Sequence, residues 1–116
     1  MRDVSTAVRV ECASSYPVSI FIAGDAQRAR ELCRAYCDRT GFCVTVTPTD
    51  YVYTDGEESG VIVGIINYPR FPATPTLLWQ RALELAHELR AGLGQESFSV
   101  QSPKFTEWVS FREDRS

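Results

Sequence analysis

The apolar and polar positions of the chain divide it into short alternating runs and two longer stretches of helical period. Val8 to Cys12 alternates, as an edge strand or a leading arm would. Pro17 to Ala23 is nearly all apolar and rich in β-favouring residues, which predicts a largely buried strand. Asp25 then caps a helix over Ala26–Thr40, whose stripe of Ala29, Leu32, Cys33, Tyr36 and Cys37 recurs at helical spacing, and Gly41 closes it. Cys43–Thr47 and Tyr51–Thr54 alternate on either side of Pro48, which either interrupts the strand or places it at a sheet edge. An acidic turn around Asp55-Gly56, extended by Glu57, Glu58 and Ser59, leads into the apolar strand Gly60–Ile66, so a hairpin is expected. Thr74-Pro75 opens a second helix with Leu78, Trp79, Ala82, Leu85, Ala86 and Leu89 on one face, stopped by Gly92 and Gly94. Ser97–Gln101 and Glu107–Phe111 alternate and predict a closing hairpin. The order is ββαββαββ. Its short connections favour an α+β fold, an antiparallel β-sheet with two helices packed on one face.

A chain of 116 residues fits a single α+β domain over 1–116, with residues 1–16 as a variable leading arm and 113–116 as a frayed, charged tail. With 44% apolar and 23% charged residues the composition is that of a globular protein. No apolar run reaches the roughly 20 residues a membrane span needs, and the first residues lack the apolar core of a secretion signal, so a cytosolic protein without membrane partners is expected. The net charge of −3 gives no reason to expect a DNA or RNA polymer as partner. Eleven of the twelve basic residues are arginine, Lys104 being the exception. Arginine pairs bidentately with phosphate and stacks on rings, although a GC-rich genome would produce the same bias.

Candidate chemistry is sparse. Cys33 and Cys37 fall on one helix face and, with Cys12 and Cys43, read as reduced, mostly buried thiols; closer cysteine pairs or histidine partners would be needed for zinc, and His87 stands alone. Glu57 and Glu58 are adjacent carboxylates of the kind that diverge into water. No serine lies in a nucleophile elbow, and no glycine-rich phosphate loop is present. The expectation is a protein that is not an enzyme and needs no cofactor or metal.

Binding has more support. Among Tyr51, Tyr53, Tyr68, Phe71 and Trp108, several lie on strands or loops that expose side chains, and aromatic faces stack on nucleobases. Arg70 and Arg112 suit phosphate, and Asn67 suits base or ribose edges. Asn67, Tyr68, Arg70 and Phe71 crowd into five residues stiffened by Pro69 and Pro72, which makes this stretch the principal candidate for a binding edge.

The phrase TVTPTDYVYTDGEESGVIVGIINYPRFP, followed by a Trp-containing helix and TEWVSFR, resembles the phage Thoeris anti-defence sponges of the first type over roughly residues 17–112. The resemblance implies a non-catalytic protein in the cytoplasm of an infected bacterial host. Such a sponge sequesters a cyclic ADP-ribose isomer, and some members also bind cyclic oligonucleotides within an oligomer. On that implication the ligand would meet Tyr53, Asn67, Tyr68, Arg70, Phe71, Trp108 and Arg112. Enclosing a small nucleotide is easier between subunits, so a homo-oligomer is expected. The alternative is an inhibitor that docks on a host protein through the acidic turn and takes no small ligand.

Overall fold

A computed structural model describes residues 6–113. The first five residues of the leading arm and residues 114–116 of the expected frayed tail lie outside it. The elements are β1 (Val18–Ala23), α1 (Ala26–Thr40), β2 (Thr45–Tyr53), β3 (Gly56–Ile65), α2 (Pro75–Leu93), β4 (Ser97–Gln101) and β5 (Thr106–Ser110). They form one antiparallel sheet in the order β2-β3-β1-β4-β5, so the α+β architecture expected from the sequence is the one observed. β1 and β2 run parallel with β3 between them, and β3 and β4 run parallel with β1 between them. Two split βαβ units are therefore interleaved, the ferredoxin-like arrangement, with β5 added at one edge.

Alternation assigns the two faces. Val18, Ile20 and Ile22 of β1, Val61, Val63 and Ile65 of β3, and Phe98 and Val100 of β4 point to the helices and are buried. From the other side come Ala29, Cys33 and Tyr36 of α1 and Leu78, Ala82, Leu85, Ala86 and Leu89 of α2. Full burial of each large apolar side chain contributes roughly 1.5–3 kcal/mol. Tyr36 is buried yet satisfied, donating to the Glu84 carboxylate at 2.8 Å, and burial first, then that bond, pushes its phenol up to about 12. The helices start at the predicted caps, where Asp25 accepts from the Arg28 amide at 2.7 Å and Thr74 from the Leu77 amide at 3.1 Å. Gly92 does not stop α2 as expected; the helix runs to a left-handed Gly94. A β-carbon at Gly92 would lie 2.6 Å from Leu32 of α1, so the glycine serves helix–helix approach.

Two other expectations change, and one left open is decided. The run Val8–Cys12 forms no strand. β1 already has β3 and β4 as neighbours, which leaves the segment before it no adjacent sheet edge. Of the two roles open to Pro48, interrupting a strand or edging the sheet, the second is the one observed: β2 is an edge strand, where a missing donor is tolerated, and Pro48 pairs with Val61. The hairpin turn is tighter than the acidic stretch suggested, because Tyr53 already pairs with Gly56 and Asp55 takes the left-handed conformation at φ 65°. Glu57 and Glu58 are thereby strand residues.

β2 and β3 outrun β1, whose last residue, Ala23, pairs with Gly60. The end of the hairpin extends past the end of β1, and the molecule measures 60 × 28 × 27 Å. No helix among the described residues is long and apolar enough to cross a membrane.

Candidate functional site

Both helices cover one face of the sheet and leave the other open. Register places Thr47, Ile62, Phe21, Ser99 and Trp108 in one row across that open face. Beyond this row, towards the hairpin tip, a cleft of about 410 Å³ opens between the sheet and the loop that follows α2. Phe21, Ala23 and Tyr51 line it, with Trp108 and Arg112 from the β5 side, Glu58 from β3, and Gln95 and Glu96 from the loop. Its volume is in the range of small-molecule sites.

The polar groups of the cleft are partly organised. Arg112 Nε donates to the Glu96 carboxylate at 2.7 Å, and the Phe111 amide donates to the Glu96 carbonyl at 2.7 Å, so the segment after β5 and the loop after α2 are tied twice. Glu58 accepts from the Tyr53 hydroxyl at 3.0 Å, a bond that raises the Tyr53 phenol above its ordinary range. Tyr51 lies across Gly60 and donates to the Val61 carbonyl at 2.6 Å; burial raises its phenol too. With Arg112 engaged by Glu96, Glu58 leaves the rim with an excess of negative charge. The arrangement suits a ring stacked on Trp108 or Tyr51 with a cationic group held near the carboxylates.

The seven residues expected from the sequence divide between two ends of the sheet. Trp108 and Arg112 line the cleft, and Tyr53 reaches it through Glu58. Asn67, Tyr68, Arg70 and Phe71 follow β3 at the end where Val18 pairs with Ile65, whereas the cleft lies where Ala23 pairs with Gly60. Asn67 is occupied there, donating to the Ser14 carbonyl at 2.9 Å and accepting from the Ala73 amide at 2.8 Å. Tyr68 and Phe71 have ring centroids 6.4 Å apart beside a pocket of only about 40 Å³, and the Arg70 guanidinium lies 5.9 Å from the Phe71 ring centre. A hydrogen bond with Cys43 is the main cause of a raised Tyr68 phenol. The geometry of Asn67 makes it a tie between the leading arm and the start of α2. Asn67→Ala should therefore lower stability by about 1–2 kcal/mol in denaturant unfolding while leaving ligand binding in the cleft unchanged.

Sequence reasoning passed over Phe21, Gln95 and Glu96, counted Tyr51 only among the exposed aromatics, and set Glu58 aside as a solvated turn residue. A signal for two of them existed. Phe21 lies between the core residues Ile20 and Ile22, and Glu58 is three residues before the core residue Val61, so strand alternation assigns both to the open face. Gln95 and Glu96 sit in a loop whose position depends on tertiary packing. The thiols are free, but only Cys33 is buried; Cys12 and Cys43 are exposed, contrary to the expected mostly buried set. Burial raises the Cys33 thiol to about 12. His87 flanks the core with its ring edge-on to Phe98 and Phe111. Among the described residues, no group of three or more His, Cys, Asp or Glu is placed to hold a metal.

No family model and no curated protein matches the chain. Two solved structures do. One is a phage SAM lyase in its apo state, with a TM-score of 0.70, 17% identity, and 86% of this chain and 92% of that chain covered. The other is a phage SAM lyase in complex with S-methyl-5′-thioadenosine, with a TM-score of 0.65, 14% identity, and 90% and 96% covered. At this identity the likeness establishes the fold. It lends nothing specific to the Thoeris sponge family named above. It also corrects the expectation of a protein that is not an enzyme, since both matched chains carry an enzyme's name. The missing triad, metal set and phosphate loop had carried that expectation, and this fold evidently hosts catalysis in another protein.

Proposed function

We propose that the chain is a phage lyase that binds SAM, or a closely related adenosyl sulfonium, in the open-face cleft and releases a thioadenosine. The observation that carries this reading is the cleft itself: aromatic walls from Trp108 and Tyr51 beside the carboxylates of Glu58 and Glu96, on the fold of a SAM lyase. The adenine stacks on the rings. The sulfonium and the ammonium of the amino-acid arm are cations, and the carboxylates attract both. When the bond between sulfur and the four-carbon arm breaks, its electron pair stays on sulfur and neutralises the sulfonium. The arm completes the balance by closing onto its own carboxylate or by losing a proton. The leaving group is already activated, so the protein's task is to orient the arm and exclude water, which needs no activated nucleophile.

A cyclic ADP-ribose isomer, the ligand implied by the sequence resemblance, fits the cleft less well. Its pyrophosphate would meet Glu58 and Glu96, with Arg112 already engaged by Glu96. The wider role suggested by the sequence, countering a bacterial host's defence from within the infected cell, fits an enzyme that depletes an adenosyl nucleoside. Incubating purified protein with SAM and resolving the products by chromatography tests the reading. S-methyl-5′-thioadenosine accumulating in molar excess over protein supports it. Intact SAM, with a cyclic ADP-ribose isomer instead recovered unchanged from heat-denatured protein, would sink it.

A further inference from the structure

β5 is an edge strand, and among the described residues no strand pairs with its outer side. The Phe111 amide donates to Glu96, and the Phe105 carbonyl accepts from the Ser102 amide at 2.9 Å. Odd-numbered residues of this segment therefore bond inward to β4. By the alternation of an antiparallel ladder, Thr106, Trp108 and Ser110 turn their amides and carbonyls outward. Three large aromatics accompany this open edge: Phe105 is 52% exposed, Trp108 67% and Phe111 56%. Phe105 and Phe111 belong to the helix side, where they meet Trp79 and His87; Trp108 stands on the open face.

The segment Phe105-Thr106-Glu107-Trp108-Val109-Ser110-Phe111 reads nearly the same in both directions by side-chain class. Placed antiparallel against its own copy about Trp108, it sets Phe105 opposite Phe111, Thr106 opposite Ser110, and Trp108 opposite Trp108. The same register matches every outward amide and carbonyl of these three residues to one on the other copy, giving about six interchain hydrogen bonds. Aromatic and hydroxyl cross-strand pairs are stabilising ones.

We propose that two copies join edge to edge through β5 in this register, making one continuous sheet of both copies with all helices on one side. Antiparallel extension keeps the open faces on a common side. The partner subunit's Trp108 then stands about 5.5 Å away, Cα to Cα, from this chain's Trp108 and extends the aromatic wall of the cleft. This gives the homo-oligomer expected from the sequence a specific form, and only the role of Trp108 rests on the reading of the cleft. One feature opposes the pairing: each Glu107 lies diagonal to its copy on the helix side, so association should tighten as salt rises.

Sedimentation equilibrium at tens of micromolar protein tests the pairing without substrate. Wild-type protein should be a dimer. Thr106→Pro, which removes one outward amide at the first position of an edge strand, should be a monomer with an unchanged circular dichroism spectrum. A wild-type monomer, or an assembly whose mass Thr106→Pro does not change, overturns the proposal. Should Thr106→Pro fail to fold, Glu107→Gln decides: a dimer tighter than wild type supports the register, and an unchanged or weaker one overturns it. A monomer that still releases thioadenosine sinks the pairing alone, and a dimer without turnover sinks only the reading of the cleft.

Discussion

Glu58→Gln is expected to lower kcat/KM for release of S-methyl-5′-thioadenosine from SAM by about a hundredfold, on the order of 2.7 kcal/mol of transition-state stabilisation. Glu58 and Glu57 are adjacent in sequence, but a strand sends them to opposite faces. Glu58 lines the cleft and accepts the Tyr53 hydroxyl at 3.0 Å, whereas Glu57 pairs with Val52 on the other side. Glutamine keeps the size of Glu58 and removes the charge that faces the cationic substrate. Water screens that charge while the cleft is empty; a bound nucleoside displaces the water and makes the charge count. Glu57→Gln is the matched control and should leave turnover within about twofold. Rates from product chromatography, with thermal unfolding of both variants, separate lost chemistry from lost fold. Equal effects of the two changes would remove Glu58 from the site.

Gly60→Ala is expected to cost about 3 kcal/mol, near the upper end for overpacking, and to lower the melting temperature by about 10 °C. Its methyl group would lie 2.4 Å from the Ile22 carbonyl oxygen, 2.7 Å from the Ala23 α-carbon and 2.7 Å from the Tyr51 ring. Two of these neighbours are backbone of the central strand and cannot turn aside. Gly64→Ala offers the contrast within the same strand. There the new methyl meets only the Thr45 side chain, with the hydroxyl oxygen at 2.6 Å, and a rotamer change relieves it. Its cost should stay under about 1 kcal/mol. Gly60→Ala should also disturb the cleft, because Ala23 and Tyr51 line it. Denaturant unfolding of the two variants side by side checks the difference. Similar costs would mean that β1 and β3 are less closely apposed at Ala23 than described.

The fate of Gly60 illustrates what the sequence could and could not convey. Its place at the start of an apolar run marked a strand, and period-2 and period-3.6 patterns located both helices and the later strands. They carried no information on which strands are neighbours across the sheet. β1 lies in the middle, paired on both sides, and that arrangement excludes Val8–Cys12 from the sheet and brings Phe21 beside Ser99. The candidate site was less legible. Asn67 to Phe71 drew notice because polar and aromatic residues crowd between prolines, yet Asn67 there spends its amide on Ser14 and Ala73. Trp108 and Arg112 were visible as exposed chemistry. Glu58 was hidden within what looked like a solvated turn, and Glu96 acquires its position only from two contacts with the segment after β5.

The elongated shape of the molecule has a hydrodynamic consequence. At 16.3 Å the radius of gyration exceeds the roughly 13 Å of a compact domain of about this length. A long axis of 60 Å against two near 28 Å raises the friction of a single copy in solution. Gel filtration calibrated with spherical standards will then overstate the mass, and a monomer can elute where a rounder, heavier protein would. Mass from light scattering or sedimentation is free of that bias.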